Sequence, residues 1–327
     1  MQATQSIRLH AFREDRPGPR WRALYEATWP AYRSWYLRPG QGERPTVKAA
    51  SAALSRHMPE LVPTWERLVE LTGSDPTAAA MLTHWNMPPF APACSQVAVN
   101  AGTRALIRNY DYHPDLFEEV VMTTRFGERA VLGVSDCLWG LVDGMNSDGL
   151  AVSLAFGGTR GSAPGFAITL VLRYLLEVAA TVEHALSALR RLPVSMSYNL
   201  TLTDRTACAR TAYVAPGRAP EVRACPVATN HRFDQPDDAV HAARFRSVER
   251  RTHLLELIER QPTADAVAEK FLRPPLRTAD YANGFGTLYT ADYRPDSGQV
   301  HFRWPGTTWT RSFDSTDAEL RVDVQAV

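Results

Sequence analysis

One cysteine in this chain has neighbours that could make it a nucleophile. Cys94 opens a short alternating apolar stretch over residues 96–99. Asn100-Ala101-Gly102 supplies a turn, because Asn and Gly tolerate the positive φ that a tight hairpin needs. Residues 103–107 read as a return strand that runs into Arg108 and Asp111. Strands paired across that turn bring Arg108 and Asp111 back to Cys94. A guanidinium beside a thiol favours thiolate, and a carboxylate can hold an amine or orient a proton. Each residue alone has a plainer reading. A cysteine at a strand start is commonly a small buried hydrophobe, and an Arg and Asp three apart are commonly a weak surface pair. The combination is what points to a nucleophile with its tuning groups.

The segment from Cys94 to Arg108-Asn109-Tyr110-Asp111 resembles the cysteine N-terminal nucleophile (Ntn) hydrolases, the family of acyl-CoA:isopenicillin N (6-aminopenicillanic acid) acyltransferases, penicillin V acylases and bile salt hydrolases. Their mature chains start with Cys and then show Arg-Asn, an aromatic or Leu, and Asp. Thr229-Asn230 resembles the family's Thr-Asn, which implies that the Asn230 side chain donates to the oxyanion. Read without the resemblance, an Asn after a strand is a turn former. His231 reads as a solvated loop residue. Ala242-Ala243-Arg244-Phe245 falls where the family has a small residue and then an Arg opening a helix. That implies a role for Arg244 in supporting the nucleophile or bridging to Asp111, with Arg246 as the alternative match. Bile salt hydrolases have an Asn where Ala155 falls, so a backbone N–H near Ala155 or Phe156 has to serve as second oxyanion donor, and bile-salt specificity is not implied. Asp143 and Asn146 read as turn formers. Trp139, Phe156 and Phe166 are candidates for an apolar acyl pocket, although aromatics in strands more often belong to the core.

The resemblance implies an α+β fold, the four-layer α/β/β/α sandwich. It also implies self-cleavage between Ala93 and Cys94, after which the freed α-amine serves as base. The resulting expectation is an autoproteolytic amidohydrolase or acyltransferase working through an acyl-Cys94 intermediate, without a cofactor. Its substrate would be a small-molecule amide or an acyl-CoA-type thioester, with hydrolysis and acyl transfer both open. Two alternatives remain: a degenerate, non-catalytic member, or a conventional cysteine peptidase with His113 or His231 as base.

The elements that must position these residues divide at the cysteine. Residues 1–93 read as a helical pro-segment, with three-and-four apolar spacing over 21–29, 50–58 and 61–71. Pro30, Pro39, Pro45, Pro59, Pro63 and Pro76 punctuate it, and Pro88, Pro89 and Pro92 form an extended approach to Cys94. Residues 94–327 read as the catalytic domain, the pro-segment remaining a partner after cleavage. Strands are expected at 119–126, 130–134, 138–142, 150–156, 197–203, 207–214, 221–227, 286–293 and 299–304. Helices are expected at 166–180, at 182–192 after a Thr181 cap, at 245–260, and at 264–272 after Thr263. Strands, then helices, then strands again argue for antiparallel sheets covered by helices.

Composition sets outer bounds. In a chain of 327 residues, a net charge of +1 argues against a dedicated nucleic-acid or polybasic membrane surface. No apolar run reaches a membrane-spanning length, and the first residues lack a basic flank and apolar core, so neither membrane nor signal peptide is expected. The four cysteines, Cys94, Cys137, Cys208 and Cys225, are scattered without metal spacing and read as free thiols of a cytoplasmic protein. The glycines at 157–161 lack the spacing of a phosphate-binding loop. A homo-oligomer is left open.

Overall fold

The structure, a computed structural model, describes residues 4–40, 42–89, 93–233 and 236–325. Pro92, part of the expected approach loop, lies outside the described residues.

The chain opens with a strand, not a helix. In β1 (Thr4–Glu14), Ile7, Leu9 and Ala11 turn inward at alternate positions. Four helices follow: α1 (Pro19–Tyr36), α2 (Val47–His57), α3 (Val62–Leu71) and α4 (Pro76–Met81). The segment read as helical over 1–93 thus also carries a strand ahead of its helices. α1 also runs through Pro30, which was expected to end it. Trp21, Tyr25 and Trp29 sit one turn apart on its buried face, with ring centroids 5.6 and 5.4 Å apart. That stripe outweighs the single backbone bond a proline removes. Pro63 and Pro76 lie in first turns, where no N–H is needed.

From the cysteine onward come β2 (Ala93–Val99), β3 (Ala105–Tyr112), β4 (Val120–Thr124), β5 (Val131–Asp136), β6 (Gly140–Asn146) and β7 (Ala151–Phe156). Two helices, α5 (Ile168–Val178) and α6 (Val182–Leu189), lead to β8 (Tyr198–Thr203), β9 (Ala209–Val214), β10 (Glu221–Arg223) and β11 (Val227–Ala228). Then come α7 (Ala239–Arg244), α8 (Ser247–Glu259) and α9 (Ala264–Phe271). The chain finishes with β12 (Ala279–Asp280), β13 (Phe285–Arg294), β14 (Gln299–Trp304), β15 (Thr307–Ser312) and β16 (Ala318–Gln325).

Among the described residues these strands form two sheets. One runs β10-β9-β8-β7-β6-β5-β4-β1-β16, and the other β11-β2-β3-β13-β14-β15 with β12 beside β13. β2 and β3 face β7 and β8 across the interior, α5 and α6 cover the first sheet, and α8 and α9 cover the second. This is the α/β/β/α order expected from the sequence.

The segment before Cys94 is built into that body. β1 pairs parallel with β4 on one side and antiparallel with β16, the last strand, on the other. The Trp21 indole N–H donates to the Leu138 carbonyl at 2.9 Å, and Trp139 donates back to Leu82 at 2.9 Å. His84 is fully buried between the Thr169 hydroxyl (3.1 Å) and the Cys137 carbonyl (3.2 Å), and burial pushes its pKa down to about 3. Tyr32 of α1 donates to Glu118 and its oxygen accepts from the Cys137 N–H at 3.0 Å. Burial, with Glu118 close by, pushes the neighbouring Asp136 up to about 7.

Candidate active site

The β2–β3 hairpin does what its sequence implies. Cys94 faces Tyr110 across the ladder and Gln96 faces Arg108, so Cys94 and Arg108 share one face of the sheet as a diagonal pair. That face looks toward the other sheet. Arg108 Nη2 donates to Cys94 Sγ at 2.7 Å, and its Nη1 donates to Asp143 Oδ2 at 2.6 Å and to the Val142 carbonyl at 3.0 Å. Tyr289 donates to Asp143 Oδ2 at 2.7 Å, and Tyr293 donates to its other oxygen. Asp143 is therefore not the turn former expected from its Asp-Gly text. It lies fully buried in β6 and fixes the plane of Arg108. Asn146 does form the turn, accepting from the Asp148 and Leu150 N–H groups.

The opposite face of the hairpin carries Ser95, Asn109 and Asp111. Asn109 is structural, donating to the Phe271 and Leu276 carbonyls and accepting from Thr290. Asp111 accepts from Thr287 at 2.6 Å and from Arg250 Nη1 at 3.2 Å. Arg250 also donates to Ser95 Oγ at 2.8 Å and, through Nη2, to Asn230 Oδ1 at 2.7 Å. The same Asn230 oxygen accepts the Cys94 backbone N–H at 2.9 Å. A continuous line of contacts thus runs Asp111–Arg250–Asn230–Cys94 N.

Arg250 takes the place expected for Arg244. Arg246 adopts a left-handed backbone, φ 51°, that separates α7 from α8, so the helix expected over 245–260 begins at Ser247. Arg244 ends the first piece, exposed and stacked 5.3 Å over Phe245, and Arg246 pairs with Glu249 at the surface. Neither reaches Asp111. Arg250 sits with Ser247 and Leu254 on the buried face of α8. That spacing of three and four was visible in the sequence and could have identified it.

Asn230 is held from three sides. Its N–H donates to Ser247 Oγ at 2.8 Å, Asn199 Nδ2 donates to the Thr229 and His231 carbonyls at 2.7 and 2.8 Å, and its own Nδ2 donates to the Phe156 carbonyl at 3.3 Å. Gly158 permits that last approach: its φ is +89°, and a Cβ there would stand 2.9 Å from the Asn230 carbonyl oxygen. The glycines at 157–158 are thus a close-packed turn rather than a loose loop. His231, expected in solvent, is 2% exposed, with Nδ1 2.7 Å from Ser247 Oγ. His113 accepts from the Asp115 N–H at 3.1 Å. Ala155 lies in β7 opposite Asn199 and brings no side-chain donor.

The expected acyl-pocket aromatics belong to the core. Trp139 stands edge-on to His84, and Phe166 packs on Trp85 at 4.9 Å, both against the N-terminal helical region. Phe156 packs on Tyr198 and His241.

Burial is the largest influence on the nucleophile. It raises the Cys94 thiol above its ordinary range, while Arg108 and the Asp111 backbone N–H pull the other way. Arg108 pulls toward thiolate, as its place beside the sulfur leads one to expect, but burial outweighs that pull. Burial likewise pushes Asp111 up to about 6, against the pull of Arg250, Thr287 and Arg108. Such an arrangement can do acyl transfer: a thiol nucleophile, a fixed cation beside it, and an amide donor next to its own backbone nitrogen. Among the described residues no three His, Cys, Asp or Glu side chains converge to hold a metal ion, and no helix is long and apolar enough to cross a membrane.

Comparison with known proteins gives the family. No curated protein matches the chain. Among solved structures, a variant of the conjugated bile acid hydrolase from Clostridium perfringens aligns at 13% identity, covering 71% of this chain and 98% of that one, with a TM-score of 0.49. The penicillin V acylase from Agrobacterium tumefaciens aligns at 15% identity over 71% and 92%, TM-score 0.45. A Caenorhabditis elegans N-acylethanolamine-hydrolyzing acid amidase ortholog aligns at 14% identity over 62% and 93%, TM-score 0.44. The sequence model of one family matches residues 99–309, more than half of the chain, starting just past Cys94 and including Arg108, Asp111, Asn230 and Arg250. The chain belongs to the acyl-coenzyme A:6-aminopenicillanic acid acyl-transferase family.

Proposed function

We propose that this enzyme is made active by its own cleavage between Ala93 and Cys94, and then transfers acyl groups from a small-molecule amide or acyl thioester through Cys94. The observation that carries this reading is the pair of contacts on Cys94: Arg108 Nη2 on its sulfur at 2.7 Å and Asn230 Oδ1 on its backbone nitrogen at 2.9 Å.

In the first reaction the sulfur attacks the Ala93 carbonyl. A C–S bond forms, the peptide C–N bond breaks, and the nitrogen takes the thiol proton. Water then opens the thioester, leaving an Ala93 carboxylate, a free thiol and a free α-amine on Cys94. Such an amine has an ordinary pKa of about 7.7–8.0, suited to take a proton at neutral pH. Asn230 Oδ1, already the acceptor for that nitrogen, would hold the amine, with Arg250 and Asp111 behind it.

In turnover the amine takes the thiol proton as sulfur attacks the substrate carbonyl. Burial makes the thiol harder to ionise, so a base beside it assists the attack. Asn230 Nδ2, which donates to the Phe156 carbonyl in the uncut chain, would turn its donation to the oxyanion. Arg108 stabilises the sulfur whenever it carries charge, on leaving as on attack. The acyl group then passes to water or to an amine.

Cys94→Ala tests the reading. It should stay one chain and turn over no amide, whereas a cut or active Cys94→Ala protein contradicts it.

A further inference from the structure

Arg108 stands opposite Ala291 in the β3–β13 ladder, and the residues that flank Ala291 on the same face are Tyr289 and Tyr293. Ala291 carries only a methyl, which leaves room there for the Arg108 side chain. Both tyrosine hydroxyls cross the interior to one carboxylate of the other sheet. Tyr289 donates to Asp143 Oδ2 at 2.7 Å, and Tyr293 donates to Oδ1. Tyr289 therefore shares the oxygen that accepts from Arg108 Nη1 at 2.6 Å, while Arg108 Nη2 reaches the Cys94 sulfur at 2.7 Å. All five of these side chains are fully buried.

The two tyrosines are fixed as donors: burial, with Asp143 beside them, pushes both phenols well above their ordinary range. Their O–H dipoles point at both oxygens of Asp143 in a setting without screening water, where such contacts are strong. An Asp143 oxygen stripped of its hydroxyl partner draws harder on Arg108, the cation paired with it. That pull acts against the sulfur, because the Arg108 charge is what opposes burial there. It also loosens the carboxylate whose position sets the plane of the guanidinium.

We propose that Tyr289 and Tyr293 are positioning residues of the nucleophile: by holding both oxygens of Asp143 they keep the Arg108 charge directed at the Cys94 sulfur. The inference rests on Cys94 as the nucleophile. It assigns the tyrosines a part in the reaction although neither touches the sulfur or the reacting carbonyl. Asp111 and Tyr110 of β3, Tyr198 of β8 and Arg250 of α8 also lie near the sulfur, and neither tyrosine hydroxyl bonds to any of them.

The test is an NMR titration of protein carrying isotope-labelled cysteine Cβ, with the Cys94 signal identified by its loss in Cys94→Ala. Tyr289→Phe and Tyr293→Phe each delete one hydroxyl and keep the ring. Each should raise the Cys94 midpoint by about half to one unit, the scale of one net hydrogen bond. That is about three- to tenfold less thiolate at a given pH, and Tyr289→Phe should shift more because it strips the oxygen shared with Arg108. In an Arg108→Gln background both substitutions should lose their effect, since their route to the sulfur is gone. Tyr174→Phe deletes a comparable tyrosine–carboxylate bond, to Glu60 from α5, and should leave the midpoint in place. The two variants are read separately, so loss of fold in one leaves the other as the test. A midpoint unmoved by either substitution, or moved as far by Tyr174→Phe, overturns the inference. Shifts as expected in a protein that never cuts itself support the tyrosine–Asp143–Arg108 linkage and remove the self-cleavage reading. A protein that processes normally with unshifted midpoints does the reverse.

Discussion

Arg108 Nη2 stands 2.7 Å from Cys94 Sγ because the two residues are diagonal neighbours on one face of a hairpin, and Asp143 prevents the guanidinium from turning away. The contact is fully buried, so water does not screen it. Arg108→Gln should raise the thiol pKa further, since Arg108 is the largest influence opposing burial. Turnover should fall by ~10²–10³, the range for losing one preorganised charge-stabilising donor. The pH dependence of Cys94 alkylation in the processed protein reads the thiol directly; an unmoved alkylation midpoint removes Arg108 from the site.

Arg250, not Arg244 or Arg246, links Asp111 to Asn230. Arg250→Gln leaves Asp111 buried without its ionic partner, a change that typically costs ~3–5 kcal/mol of stability. It should abolish or severely slow both self-cleavage and turnover. Arg244→Gln and Arg246→Gln, both at the surface, should process and turn over at rates near wild type. Thermal melts and processing time courses of the three variants check the order, and severe loss in Arg244→Gln with little change in Arg250→Gln reverses the assignment.

The acid side of the activity profile should report Asp111. Its folded pKa of about 6 lies above the ordinary value of about 3.9, so the folded state binds this proton more tightly. Its contribution to stability is complete below about pH 4 and is lost as pH rises through about 6. The ionised form that pairs with Arg250 grows in over that same interval, so activity should climb with a midpoint near 6 while this stability term declines. Thr287→Val removes a hydrogen bond that favours the carboxylate, and the midpoint should move upward. A profile flat through pH 5–7 excludes Asp111 from the rate-determining chemistry.

The N-terminal segment should stay bound after cleavage. β1 contributes Ile7 and Leu9 to the core from between β4 and β16. Size-exclusion chromatography of the processed protein should give one peak holding both fragments, separating only in denaturant. Leu9→Pro interrupts that strand and should sharply reduce soluble protein; unimpaired yield would mean that the strand pairing is dispensable.

Much of this was legible in the sequence because local rules were enough. The hairpin from Cys94 to Asp111 was readable from its alternation and its Asn-Ala-Gly turn, and the caps at Thr181 and Thr263 were placed correctly. β1 and β16 were overlooked although Ile7, Leu9, Ala11 and Leu320, Val322, Val324 alternate as strands do. What could not be read locally was that these two distant segments pair with each other. Arg250 was passed over for Arg244 and Arg246, although its spacing from Ser247 and Leu254 puts it on the buried face of the helix expected there. Asp143 looked like a turn because its partners, Arg108, Tyr289 and Tyr293, come from the other sheet. The aromatics at 139 and 166 looked like pocket and are core, since only the packed N-terminal segment decides which apolar surface remains uncovered.

The most direct measurement is the intact mass of the purified protein with N-terminal sequencing of its fragments. Two chains, the larger beginning Cys94-Ser95-Gln96, are the expected result, with Cys94→Ala remaining whole. A wild-type protein that stays a single chain after prolonged incubation, or that is cut anywhere other than before Cys94, contradicts the account.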